Sequence, residues 1–310
     1  MVLDGALATE LERRGADLDD PLWSAKCLIE RPELIRQVHL DYFRAGADVA
    51  TTATYQASFE GYARRGIDRR AAAQLMRSAV TLALAARDEF WSTGNRAGRL
   101  RPLVATSIGP YGAMLADGSE YRGQYGVSDV DLADFHRRRL EVLADAGADL
   151  LACETIPCLS EALVLASVLE EFPALCGWLS FSCRDGALNC AGEPIAACAA
   201  ALRDHPQIVA LGANCTAPQY IPALLGQLRG ITDKPLVVYP NSGEVYDAKT
   251  KRWSSAASAE IEAEAGQPAR AATPFGEQAR AWYAAGARLI GGCCRTRPAD
   301  ILGVRQCVLA

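Results

Sequence analysis

Histidine is nearly missing from this 310-residue chain: His39, His136 and His205 are its only examples. A metal site here must therefore lean on sulfur or carboxylate, and a Ser-His-Asp mechanism has few candidates. No apolar run approaches the ~20 residues that span a bilayer. Met1-Val2-Leu3-Asp4 carries no basic, apolar leader, so a cytoplasmic protein without membrane association is expected. Basic residues are scattered and the net charge is -5, which excludes the positive footprint of a nucleic-acid binder and points to small-molecule partners. Also missing is any Pro/Gly/Ser-rich linker or composition shift that would divide the chain.

What is present is apolar residues, 50% of the chain, enough for a large core. There are 11 cysteines. An odd number in a long chain without a secretion signal argues for thiols or metal ligands over a disulfide framework. Short apolar runs alternate with segments of helical period, the mark of parallel strands joined by crossover helices. Strands are expected over 2–8, 48–55, 102–109, 149–155, 176–183, 208–215, 235–240 and 287–293, and helices over 32–45, 70–90, 130–146 and 159–171. Arg44-Ala45-Gly46-Ala47-Asp48, Asp145-Ala146-Gly147-Ala148-Asp149 and Ala284-Ala285-Gly286-Ala287-Arg288 each place a glycine to cap a helix just before a strand. Eight such units match an α/β fold of one domain over 1–310, a single (β/α)8 TIM barrel with its site at the C-terminal strand ends. A doubly wound sheet in two domains is the alternative. The stretches 111–127 and 242–273 are too long for plain connectors, and long loops on that face are usually functional.

Gly291-Gly292-Cys293-Cys294-Arg295-Thr296 ends the last apolar run. Adjacent side chains on a strand point to opposite faces, so both sulfurs reach one point only if the strand ends or bends, and the glycines are expected to supply that bend. On residue type alone, two buried apolar fillers or a vicinal disulfide compete with a pair of metal-binding thiolates. The barrel changes the balance. Cys215, in Gly212-Ala213-Asn214-Cys215-Thr216, ends the sixth strand on the same face two positions away, and three thiolates with an open fourth position suit an exchangeable zinc site. Cys153 should face away from its neighbour Glu154, and Cys158 lies beyond Pro157, so both are expected to pack; Cys27, Cys176, Cys183, Cys190, Cys198 and Cys307 are read as fillers.

Asp4 and Glu154 are carboxylates set in apolar strand segments, costly unless paired, and together they can grip a ligand ammonium. Thr51 and Tyr55 end the second strand within reach of a ligand or the metal. Tyr111, Tyr121, Tyr125, Tyr239, Tyr246 and Trp253 lie on the expected mouth loops, where aromatic faces suit a cation.

Read in order, Leu3-Asp4-Gly5-Ala6-Leu7-Ala8-Thr9-Glu10-Leu11, Ser107-Ile108-Gly109-Pro110-Tyr111-Gly112, Leu115-Ala116-Asp117-Gly118-Ser119-Glu120-Tyr121, Glu154-Thr155-Ile156-Pro157, Asn214-Cys215, Tyr239-Pro240-Asn241-Ser242-Gly243-Glu244-Val245-Tyr246-Asp247 and the final cysteine motif resemble the homocysteine S-methyltransferase family, most closely its bacterial S-methylmethionine-using members. The resemblance covers essentially the whole chain. It implies a zinc-dependent barrel that methylates homocysteine to methionine, with Cys215, Cys293 and Cys294 as zinc ligands and catalytic centre. It also implies that Asp4 and Glu154 bind the homocysteine amine, and carries Thr51 and Tyr55 over as substrate or zinc contacts. The donor it implies is a sulfonium, S-methylmethionine or S-adenosylmethionine. Leu7 stands where many relatives carry Met, a conservative departure. No sequence remains for the cobalamin and folate modules of the large methionine synthases, so a cobalamin-dependent reaction is not expected. Two rival readings of the cysteines are a zinc hydrolase, which needs a general base beside a metal-bound water, and a thiol or zinc-buffer protein without acceptor specificity.

Overall fold

The computed structural model of the protein describes residues 1–93, 98–243, 245–247, 252–254 and 274–308. Its centre is a parallel sheet of β1 (Val49–Thr51), β2 (Leu103–Ile108), β3 (Leu150–Ile156), β4 (Gly177–Phe181), β5 (Ile208–Asn214), β6 (Leu236–Tyr239) and β9 (Ala287–Ile290), adjacent in that order. A short antiparallel pair, β7 (Val245–Asp247) and β8 (Arg252–Ser254), lies between β6 and β9 in sequence. The sheet is closed by the N-terminus. Val2 bridges Ile290 and Leu3 bridges Val49, both parallel, with Leu3 N–H donating to Ile290 C=O at 2.8 Å and Asp4 N–H to Val49 C=O at 3.0 Å. With that segment in the eighth position the sheet is a TIM barrel, as the alternating pattern predicts, and the doubly wound alternative is set aside.

Helices follow the strands around the outside. Pro32–Ala45 matches its expected bounds, Arg69–Thr93 and Leu159–Leu169 nearly so, and Gly46 caps the first of these at φ 117. The expected strand over 2–8 is the largest departure: only Val2 and Leu3 pair, and a helix begins at Leu7. Most other expected strands run a residue or more past the observed ladder. The extra residues belong to the bent ends that form the mouth.

Period-two alternation sorts each strand between two cores. One set fills the barrel interior: Leu3, Val49, Ala105, Ala152, Trp178, Ala210, Val237 and Tyr239. The other, with Val104, Leu151, Cys153, Leu179, Leu211 and Val238, packs between strands and helices. Continuing the inward phase to the C-terminal ends brings Thr51, Ser107, Glu154, Ser180, Asn214 and Tyr239 to one floor. The expectation that Cys153 faces away from Glu154 holds, and Cys153 and Cys158 are buried packing residues. Cys27, Cys183 and Cys198 are buried too, but Cys176 is exposed and Cys190 and Cys307 are half-buried, so these three are not core fillers. Cys176 precedes the first residue of β4, at the end of the barrel away from the mouth.

Candidate functional site

The floor of polar side chains is roofed by three sulfurs. Cys215 follows β5 directly, and Cys293 and Cys294 follow β9, with β6 between. The Cys215 and Cys294 sulfurs are 3.7 Å apart and those of Cys293 and Cys294 are 4.0 Å apart, and all three lie within 4.8 Å of one another. A disulfide would need about 2.05 Å, so these are thiols and the vicinal bond is not formed. A tetrahedral ion with metal–sulfur bonds of about 2.3 Å separates its ligands by about 3.8 Å. Two of the three separations therefore match the spacing such an ion requires, and the third is at most 4.8 Å. Among the described residues, no other group of His, Cys, Asp and Glu gathers in this way.

The backbone around them is held in an uncommon conformation. Thr155, Cys215 and Arg295 have φ of 61, 48 and 68, left-handed values that L-residues with side chains seldom adopt. Such strain persists only where neighbours over-determine it. Cys215 N–H donates to Tyr239 C=O at 3.2 Å and Cys293 N–H to Pro240 C=O at 2.7 Å, tying both cysteine turns to β6. Thr296 closes the second turn: its hydroxyl donates to Cys293 C=O at 2.7 Å and accepts from Ala6 N–H at 3.2 Å. Neither of the two glycines has positive φ, although the strand ends at Ile290 just before them. They permit close approach. A Cβ on Gly292 would sit 2.3 Å from the Thr296 hydroxyl oxygen, and one on Gly291 2.6 Å from Leu3 Cβ.

Proximity sets the acidity of the thiols. Three adjacent sulfurs without a cation cannot all ionise, so hydrogen bonds from Cys215 and Cys294 favour a thiolate at Cys293, while that thiolate holds Cys215 above the ordinary thiol range. The Tyr121 hydroxyl lies 3.2 Å from the Cys215 sulfur. A divalent ion would balance all three as thiolates, and soft sulfur donors suit zinc among the common ions.

Beside the sulfurs sit the two carboxylates, both buried. Asp4 accepts from Thr51 N–H at 2.8 Å and from its hydroxyl at 3.2 Å. Burial pushes its carboxyl well above the usual range, the Thr51 N–H opposes that, and the charge of Glu154 adds to it. Glu154 accepts from the Ser107 and Tyr239 hydroxyls, yet burial still raises it to about 7. Two buried acids this close lack a counter-charge, the condition an ammonium group would relieve. Thr51 thus touches Asp4 directly. Tyr55 lies four residues past the end of β1, edge-on to Trp23 with centroids 6.5 Å apart, its acidity depressed first by burial and then by the charges of Glu120 and Cys215.

Several partners were not singled out by the sequence reading. Asn214 accepts from Thr155 N–H at 2.7 Å and the Ser180 hydroxyl at 2.8 Å, and its amide bears on the Cys293 sulfur. The inward phase of β5 is the signal that could have found it. Of the mouth aromatics, Tyr121 reaches a site sulfur and Tyr239 the Glu154 carboxylate. Tyr111 and Tyr125 pack against each other with centroids 5.4 Å apart, and the side chains of Tyr246 and Trp253 lie outside the described residues.

A sequence profile described as homocysteine S-methyltransferase matches residues 1–308. The chain belongs to the homocysteine S-methyltransferase family. It is 55% identical over 302 residues to homocysteine S-methyltransferase YbgG of Bacillus subtilis, covering 97% of this chain and 92% of that one. It is 51% identical to the Escherichia coli homocysteine S-methyltransferase, covering 98% and 94%. The metallated form of the homocysteine methyltransferase MmuM from Escherichia coli superposes with a TM-score of 0.83 at 49% identity, covering 99% of this chain and 95% of that one. As a homocysteine S-methyltransferase the protein is an enzyme that transfers methyl groups to homocysteine. Among the described residues no helix is long and apolar enough to cross a membrane.

Proposed function

We propose that the protein is a zinc enzyme that methylates L-homocysteine to methionine from a sulfonium donor, S-methylmethionine or S-adenosylmethionine, with residues 1–310 forming one domain. The observation that carries this reading is three sulfurs, from Cys215, Cys293 and Cys294, gathered within 4.8 Å of one another beside a pair of buried carboxylates. These cysteines would hold zinc, leaving one position for the acceptor sulfur. Zinc supplies the Lewis acidity that keeps a thiol deprotonated at neutral pH, which matters because the thiolate is the reactive form.

The rest of the chemistry belongs to the chain. Asp4 and Glu154 take the homocysteine ammonium and so fix the acceptor by its far end. Thr51 orients Asp4, and Ser107 and Tyr239 orient Glu154. Tyr55 closes the wall above them as a substrate contact. The acceptor sulfur attacks the methyl carbon in line, a new S–CH3 bond forms, and the electrons of the broken C–S bond stay on the donor sulfur. The donor leaves as a neutral thioether and the acceptor thiol proton passes to solvent, so no general acid is required. That fits the histidines: His136 pairs with Glu161, His205 with Ala166 C=O, and both ring nitrogens of His39 are buried without a hydrogen-bond partner among the described residues. Incubating the purified protein with homocysteine and each donor, with and without a chelator, tests this reading. Donor-dependent methionine that chelation abolishes is expected, and chelator-resistant methionine would refute zinc dependence.

A further inference from the structure

The loop after β2 carries a carboxylate that the reaction as described does not use. Glu120 lies in the short turn Ser119–Tyr121, between the residue that touches the Cys215 sulfur and Ser119. The Ser182 hydroxyl, continuing the inward phase of β4, donates to Glu120 C=O at 3.5 Å, which sets this turn over the barrel mouth. Gly112 lets it lie there, because a Cβ at that position would come within 2.4 Å of the Glu120 nitrogen. One carboxylate oxygen of Glu120 is buried with no hydrogen-bond partner among the described residues. The cation that bears on it, Arg122, is exposed and paired with Asp117 at 3.6 Å. Of the charges that bear on the Tyr55 hydroxyl, that of Glu120 is the largest, and Tyr55 in turn bears on Tyr121, so the carboxylate borders the same space as these two rings. A half-buried carboxylate with one oxygen enclosed, beside aromatic rings and short of a positive partner, is the lining a cationic ligand requires.

We propose that Glu120 supplies the negative charge that binds the cationic methyl donor, with Tyr55 and Tyr121 as the walls of its subsite. This rests on the sulfonium reading above. The acceptor ammonium is already matched by Asp4 and Glu154, so Glu120 serves the second substrate. The thioether product has lost the sulfonium charge, so the Glu120 contact favours the donor over the product.

The test is steady-state kinetics of zinc-loaded Glu120→Gln and Glu120→Asp with S-methylmethionine, alongside zinc content. Glu120→Gln should raise the donor KM at least about tenfold, the size expected for losing a charge-assisted contact, while homocysteine KM and bound zinc stay at parent levels. Glu120→Asp, which keeps the charge, should stay within a few-fold of the parent. An unchanged donor KM in Glu120→Gln, or a loss that falls instead on homocysteine KM or on zinc, overturns the assignment alone. A parent protein that methylates homocysteine from no sulfonium overturns the donor reading and this assignment with it.

Discussion

At the scale of the residue, the sharpest demands fall on the sulfurs and the two acids. Cys293→Ser removes one thiolate of three and should abolish both zinc retention and turnover, read by metal analysis and methionine formation; full activity in a zinc-free variant would refute the mechanism. Glu154→Gln keeps shape but not charge, and should raise homocysteine KM about 10- to 100-fold with zinc content unchanged. Glu154 also predicts a pH effect. Burial raises it to about 7, and only the ionised form attracts an ammonium, so kcat/KM for homocysteine should fall as pH drops through about 7. The Glu154→Gln variant should lose that limb of the profile.

At the scale of the element, helices fix the loops that carry the site. Arg139, buried on the helix Asp129–Leu143, donates to Gly109 C=O at 2.8 Å and to Thr54 and Tyr55 C=O at 3.1 Å, stapling the ends of β1 and β2. Glu161, on Leu159–Leu169, accepts from Tyr111 N–H at 2.6 Å, the Tyr125 hydroxyl at 2.7 Å and His136 at 3.0 Å, anchoring the loop that bears Glu120 and Tyr121. Glu161→Ala should cost about 3–5 kcal/mol in denaturant unfolding, because it strands buried donors. The helix Pro32–Ala45 carries a different liability. His39 is buried with both ring nitrogens unpaired among the described residues, and burial lowers it to about 4 from 6.5. Between those values the unfolded chain binds a proton that the native state does not, so stability falls as pH drops from about 6.5 to 4. The loss is up to about 3 kcal/mol. His39→Leu should flatten that part of the stability profile, and an unaltered slope would refute the assignment.

At the scale of the whole molecule, barrel closure joins the two ends of the chain at the site. Leu3 bonds to β9, Gly292 N–H donates to Asp4 C=O at 3.0 Å, and Tyr42 donates to both Ala6 and Thr296 C=O. The barrel was legible because strand and helix periods alternate without interruption, and the cysteine triad because topology alone brings Cys215 beside Cys293 and Cys294. Asp4 and Glu154 stood out as acids in apolar runs. Less legible were the strand ends, since residues such as Cys215 leave the ladder by adopting left-handed backbone that no propensity favours. Tyr121 could be placed among the mouth aromatics but not on a sulfur, and Glu161 and Arg139 look like surface charges until the fold buries them.

The central claim is that Cys215, Cys293 and Cys294 hold zinc with one position open to homocysteine. X-ray absorption at the zinc edge, on the zinc-loaded protein before and after homocysteine is added, tests it most directly. The account predicts three sulfur neighbours rising to four; a sulfur count that homocysteine leaves unchanged would contradict it.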